Sequence, residues 1–88
     1  MHNSYQKRRF DIQRALVLFN VETGFEDQVL KSVKKVEGVE EAYVSYGVYD
    51  VAVKVRADSM AALKELISYR LRKIDKVRST LSLLLIEE

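Results

Sequence analysis

The stretch Tyr46-Gly47-Val48-Tyr49-Asp50 holds the residues best suited to grip a small ligand. Glycine has no Cβ, so backbone N–H groups around Gly47 can come close to a bound group. Those donors, with hydroxyls nearby, suit a carboxylate. Asp50 beside them suits an ammonium through a charge-assisted hydrogen bond. Acceptor and donors together fit an α-amino acid. The plainer alternative is a simple hairpin in which Asp50 ties its own turn.

Nothing else in the chain is a strong candidate for chemistry. The one histidine is His2, near the N-terminus, and there are no cysteines. No Ser–His pair, metal-ligand cluster or glycine-rich phosphate loop is present. No carboxylate pair has a spacing that marks it for acid–base work. The sequence therefore calls for no metal, no cofactor and no catalytic residue, and the protein reads as a non-enzyme.

Eighty-eight residues make one domain, and a chain this short hides only roughly 60% of its unfolded surface. With no disulfide available, stability must come from a compact core and from self-association. Hydrophobic residues are 48% and charged residues 32%, a globular composition. The net charge of +2 conceals an uneven distribution. Residues 1–14 form a basic tail with Lys7, Arg8, Arg9 and Arg14 against Asp11; residues 15–88 form a nearly neutral domain. Within it, Arg70, Arg72, Lys73, Lys76 and Arg78 face only Asp75. No apolar run reaches the roughly 18 residues that cross a bilayer, and no signal peptide is evident. A cytoplasmic protein without a membrane partner is expected.

The elements that must position the hairpin follow from apolar spacing. Residues 15–21 are apolar, β-branched and aromatic, and read as a strand. Phe25, Val29, Leu30, Val33 and Val36 make one stripe of a helix over 25–36. Glu26 and Asp27 at its start and Lys31, Lys34 and Lys35 toward its end suit the helix dipole. Gly38 is placed to end that helix in a left-handed conformation. Strands follow over 39–46 and 49–55, and Gly47-Val48 between them predicts a two-residue type II′ turn. Asp58 or Ser59 caps a second helix whose stripe is Met60, Leu63, Leu66, Ile67, Leu71 and Ile74. Residues 77–86 make the last strand. The order βαββαβ predicts an α+β ferredoxin-like plait: a four-stranded antiparallel sheet with both helices on one face.

The other face ought to be polar, and it is not. Leu16 and Leu18 lie on one side of the first strand, Val17 and Phe19 on the other, and the last strand ends Leu83-Leu84-Leu85-Ile86. Such a patch marks an interaction site, so a dimer with sheet packed on sheet is expected. RNA-recognition modules share the plait but stack bases on aromatics of the central strands. The third strand lacks that pattern, which argues against RNA on the open face.

Four stretches together resemble the effector-binding (RAM) domain of the leucine-responsive regulatory protein/AsnC (Lrp/AsnC) family: residues 15–24, residues 36–43, Tyr46-Gly47-Val48-Tyr49-Asp50 (the family's Gly-x-Tyr-Asp), and residues 74–82. The resemblance implies a dimeric α+β barrel, octamers or similar rings, and amino-acid effectors held between dimers. It points to Gly47, Tyr49 and Asp50 as ligand-binding residues, with hydroxyls from Thr80 and Ser82 on the last strand. Ser82 stands where the family more often has Thr. Family regulators carry a helix-turn-helix ahead of this domain, for which residues 1–14 are too short. The resemblance therefore implies a stand-alone module linked to transcription regulation. No direct sequence-specific DNA binding is expected, and full-length Lrp/AsnC-family regulators are candidate partners. A small monooxygenase-like enzyme and a ligand-free oligomerisation module are the alternatives. The ACT domain, another amino-acid-binding plait, is disfavoured by the Gly-x-Tyr-Asp hairpin.

Overall fold

The computed structural model describes residues 12–86. Most of the basic tail, with His2, lies outside the described residues. The elements are β1 (Gln13–Val21), α1 (Glu26–Lys34), β2 (Val39–Val44), β3 (Val51–Ala57), α2 (Met60–Glu65) with a π-helical continuation (Leu66–Leu71), and β4 (Val77–Leu85). The strands form one antiparallel sheet in the order β2-β3-β1-β4. This is the predicted ferredoxin-like plait. Connections 22–25, 45–50 and 72–76 all emerge at one end of the sheet.

Strand alternation builds the core. Ala15, Val17, Phe19 and Val21 of β1 and Val51, Val53 and Val55 of β3 point to the helix side and are buried. Val29 and Val33 of α1, and Leu63, Leu66, Ile67 and Leu71 of α2 and its continuation, close over them. Full burial of one such side chain contributes about 1.5–3 kcal/mol.

Local details depart from the sequence reading in three places. First, β2 ends at Val44 and β3 begins at Val51, so the connection is longer than Gly47-Val48. Ser45 N–H donates to the Asp50 carbonyl (2.8 Å), closing a four-residue tip over 46–49. Gly47 has φ +146°, not the value of about +60° a II′ turn uses. The cause is Asp50, whose N–H donates to the Phe19 carbonyl (2.8 Å) and draws the strand end toward β1.

Second, α1 stops at Lys34, so Gly38 is not its cap. Its φ of +100° instead serves the entry to β2, where an added Cβ would stand 3.0 Å from the Arg56 carbonyl oxygen and 3.0 Å from Leu66 Cδ2. Third, α2 widens after Glu65: Arg72 N–H donates to the Ile67 carbonyl (3.0 Å), a five-residue reach. Its start follows the sequence, with Ser59 Oγ accepting from Ala62 N–H (3.1 Å). Beyond the π stretch, Lys76 adopts φ +76°, unusual for a residue with a side chain. Its ammonium sits 4.4 Å from the Phe25 ring centre and 3.8 Å from the Glu22 carboxylate.

Candidate functional site

β1 outruns β3 at the end of the sheet where the three connections meet. Its last pairing with β3 is Phe19 with Val51, yet β1 continues to Val21. The Val21 N–H would then lack a strand partner, and a buried donor without one is costly. Asp50 supplies the acceptor: its Oδ2 takes the Val21 N–H at 2.8 Å. The carboxylate thus finishes the ladder that the β3 backbone leaves incomplete. The Asp50 side chain ties a neighbouring strand, while its own turn is closed by the backbone alone, Ser45 N–H to the Asp50 carbonyl. Its other oxygen has no partner among the described residues.

The tip next to Asp50 offers donors. Among the described residues, the N–H groups of Tyr46, Gly47, Val48 and Tyr49 find no acceptor. Tyr46 and Val48 are 96% and 82% exposed, and Tyr49 is half-buried. An added Cβ on Gly47 would meet nothing within 4 Å, so its surroundings are open. Gly47, Tyr49 and Asp50 are therefore together at one tip, with unfilled donors beside an anchored carboxylate.

Thr80 and Ser82 stand apart from them. Thr80 pairs with Phe19 and Ser82 with Val17, so both lie on the helix side of β4. β1 separates β4 from β3, which sets the hydroxyls about 10 Å from β3, strand to strand. Thr80 is half-buried and level with Val51; Ser82 is exposed and two residues further from the tip. The chain thus brings Thr80 to the same end of the sheet as Asp50, but not alongside it.

The open face divides into two halves. Leu16 and Leu18 of β1 pair with Leu83 and Leu81 of β4, and Leu85 pairs with Arg14. Each of the three β4 leucines is about two-fifths exposed. The β2–β3 half is charged: Glu40 lies 3.2 Å from Arg14 Nε and 3.8 Å from Arg56 Nε. The register shift between Val39 and Glu41 turns both Glu40 and Glu41 to this side. Tyr43 donates its hydroxyl to Glu41 (3.1 Å), and that hydrogen bond to a carboxylate raises the phenol pKa above its ordinary value. Composition showed the leucines on this face; the pairing of residues far apart in sequence that makes the charged half was not visible there.

Among the described residues, no three His, Cys, Asp or Glu side chains group to hold a metal, and no helix is long and apolar enough to cross a membrane.

Known proteins resemble this chain in sequence and in fold. The chain is 35% identical over 54 residues to YugG, an uncharacterized HTH-type transcriptional regulator of Bacillus subtilis (strain 168). That match covers 61% of this chain and 32% of the regulator, so the chain spans about a third of the length of the curated relative it matches. The crystal structure of FFRP-DM1 superposes with a TM-score of 0.81 at 32% identity, over 84% of this chain and 99% of that one. The hypothetical protein PHS023 from Pyrococcus horikoshii gives 0.80 at 33% identity, over 86% and 92%. A family model for the Lrp/AsnC ligand binding domain matches residues 14–88, and with the sheet order and strand register above it, this chain belongs to that family.

Proposed function

We propose that this domain binds a small amino acid at the 46–50 tip and couples that binding to assembly with further copies. The observation that carries the reading is the set of unfilled N–H groups at 46–49 beside an Asp50 carboxylate already held by Val21. A ligand carboxylate suits the donors at Gly47 and Tyr49. A ligand ammonium suits the remaining oxygen of Asp50, which loses little freedom on binding because its side chain is fixed beforehand. Thr80 and Ser82, across β1 from the tip, serve a ligand that bridges two copies.

Association uses the leucine half of the open face, packed on the same surface of a second copy. Higher rings, and mixed assembly with full-length regulators of the family, follow from the same modules. A ligand bound between copies favours one assembly over another by mass action, and this linkage is the regulatory output. The role is that of a transcription-linked effector module and not of an enzyme.

Asp50→Asn is the informative variant. Its amide oxygen can still accept the Val21 N–H, so the fold is kept while the charge is lost. Calorimetry with the common amino acids should show binding by the wild type. The variant should bind at least about tenfold more weakly, since a hydrogen bond to a charged group is worth about 1.5–3 kcal/mol. Equal affinity in the two proteins would remove Asp50 from the site.

A further inference from the structure

The positive charge of the described surface is concentrated in one short segment. Residues 70–78 carry Arg70, Arg72, Lys73, Lys76 and Arg78 against Asp75 alone, whereas residues 12–69 and 79–86 carry seven bases against nine acids. Lys76 is committed to Glu22 and Phe25. Arg70, Arg72, Lys73 and Arg78 are exposed and have no carboxylate within 4 Å among the described residues. Cations gathered with fewer acids than bases repel one another, and a polyanion relieves that repulsion.

An aromatic surface adjoins the cluster. Tyr69 is 62% exposed, and the Lys73 ammonium lies 4.9 Å from its ring centre. Open grooves run on either side of the ring. One continues past Ala61, Lys64 and Ser68, the other past Leu66 and Arg70, and Glu65 lines both. The buried stripe of α2 faces the sheet, so Tyr69 and its grooves are on the outside of the helix layer, off the open sheet face. Arg72 and Lys73 follow in the 72–76 connection, at the same end of the sheet as the 45–50 tip, and Arg78 is on β4.

We infer that Tyr69, Arg70, Arg72, Lys73 and Arg78 form a binding surface for single-stranded nucleic acid, without base sequence preference. Guanidinium and ammonium groups take the phosphates, and an unpaired base stacks on the Tyr69 ring. A single strand matches both features. A duplex keeps its bases stacked internally, and an acidic peptide uses only the charges. The surface shares no residue with the amino-acid site proposed above.

Fluorescence anisotropy of a labelled oligothymidylate, titrated with the full chain at several salt concentrations, tests this. Four phosphate contacts predict a slope of log K against log salt of about −3. Arg70→Gln/Arg72→Gln/Lys73→Gln should flatten the slope by about 2 units and weaken binding at low salt more than tenfold. Tyr69→Ala should weaken binding roughly tenfold through lost stacking while leaving the slope unchanged. Lys31→Gln/Lys34→Gln/Lys35→Gln removes the same charge from α1 and the residue that follows it, and should leave affinity nearly as it was. Circular dichroism checks that each variant is folded. The proposal is overturned if the wild type does not bind at low salt, or if the α1 triple variant loses as much as the 70–73 variant. It is equally overturned if binding follows Lys7, Arg8 and Arg9 instead, or if a matched duplex or polyglutamate competes as well as the single strand.

Discussion

Val17 and Leu18 are neighbours in β1, yet Val17 is wholly buried under the helices and Leu18 is only half-buried on the far side. The same contrast runs across the sheet. On the helix side, Val17 is flanked by Val53 and Ser82, and Val17 and Val53 belong to one buried cluster with Val29, Val33, Leu63 and Leu71. On the open side, Leu18 is flanked by Ala52 and Leu81, with nothing of the described chain above them. Apolar content alone therefore does not define a core. Over β1 and β3 the helix side is a finished interior, although Ser82 and Leu84 of β4 stay exposed on it. The leucine half of the open side is apolar surface that nothing of the described chain covers, bordered by charged residues.

Variants on the two sides should respond differently, and their ranking tests the contrast. Phe19→Ala should be the most damaging, because it opens a cavity among fully buried neighbours. A loss of about 3–5 kcal/mol is expected in urea unfolding, at any protein concentration. Leu83→Lys should leave the isolated fold intact but weaken self-association. Each copy gives up about 1.5–3 kcal/mol of apolar burial, counted twice across a twofold axis. Sedimentation should show the dimer dissociating at least a hundredfold more readily, with the circular dichroism spectrum preserved. A wild type that sediments as a monomer at micromolar concentration would end the idea that the open face is covered.

Smaller effects refine the picture. Gly38→Ala places a methyl group against Leu66 and the Arg56 carbonyl at a left-handed φ, and should cost about 1–3 kcal/mol. Glu40→Gln breaks the partly exposed contacts to Arg14 and Arg56 and should cost less than about 1 kcal/mol, declining further in high salt. If Glu40→Gln proved as damaging as Phe19→Ala, the charged half would be a buried network and the division of the open face would be wrong.

The fold was largely legible because its signals are local. Val51, Val53 and Val55 alternate with Ala52, Lys54 and Arg56, which declares both a strand and its inner face. The stripe from Leu63 to Leu71 declares a helix, and Ser59 its start. The candidate site was legible only in part. Gly47, Tyr49 and Asp50 are contiguous, so their meeting needs no tertiary information. That Asp50 would be held by Val21 could not be read, because it depends on β1 extending past β3 by two residues. The separation of Thr80 and Ser82 from the tip follows from β1 lying between β3 and β4, a property of the strand order and not of any motif.

The widened turn at Leu66–Leu71 has a consequence for how the chain tolerates changes in length. A turn with a five-residue hydrogen bond holds one more residue than an α-helical turn would, so it has the form of an accommodated insertion. Spacing alone could not reveal it, since Ile67 and Leu71 are four apart in either geometry. Deleting one residue there would let the helix close normally. Everything downstream would then rotate about 100° around the axis relative to the buried stripe. The cationic end of the helix would turn with it, and the turn feeding β4 would have to be rebuilt. Here a one-residue deletion, even of the exposed Arg70, should be more disruptive than most substitutions, because it swings the fully buried Leu71 off the stripe as well as rearranging the surface.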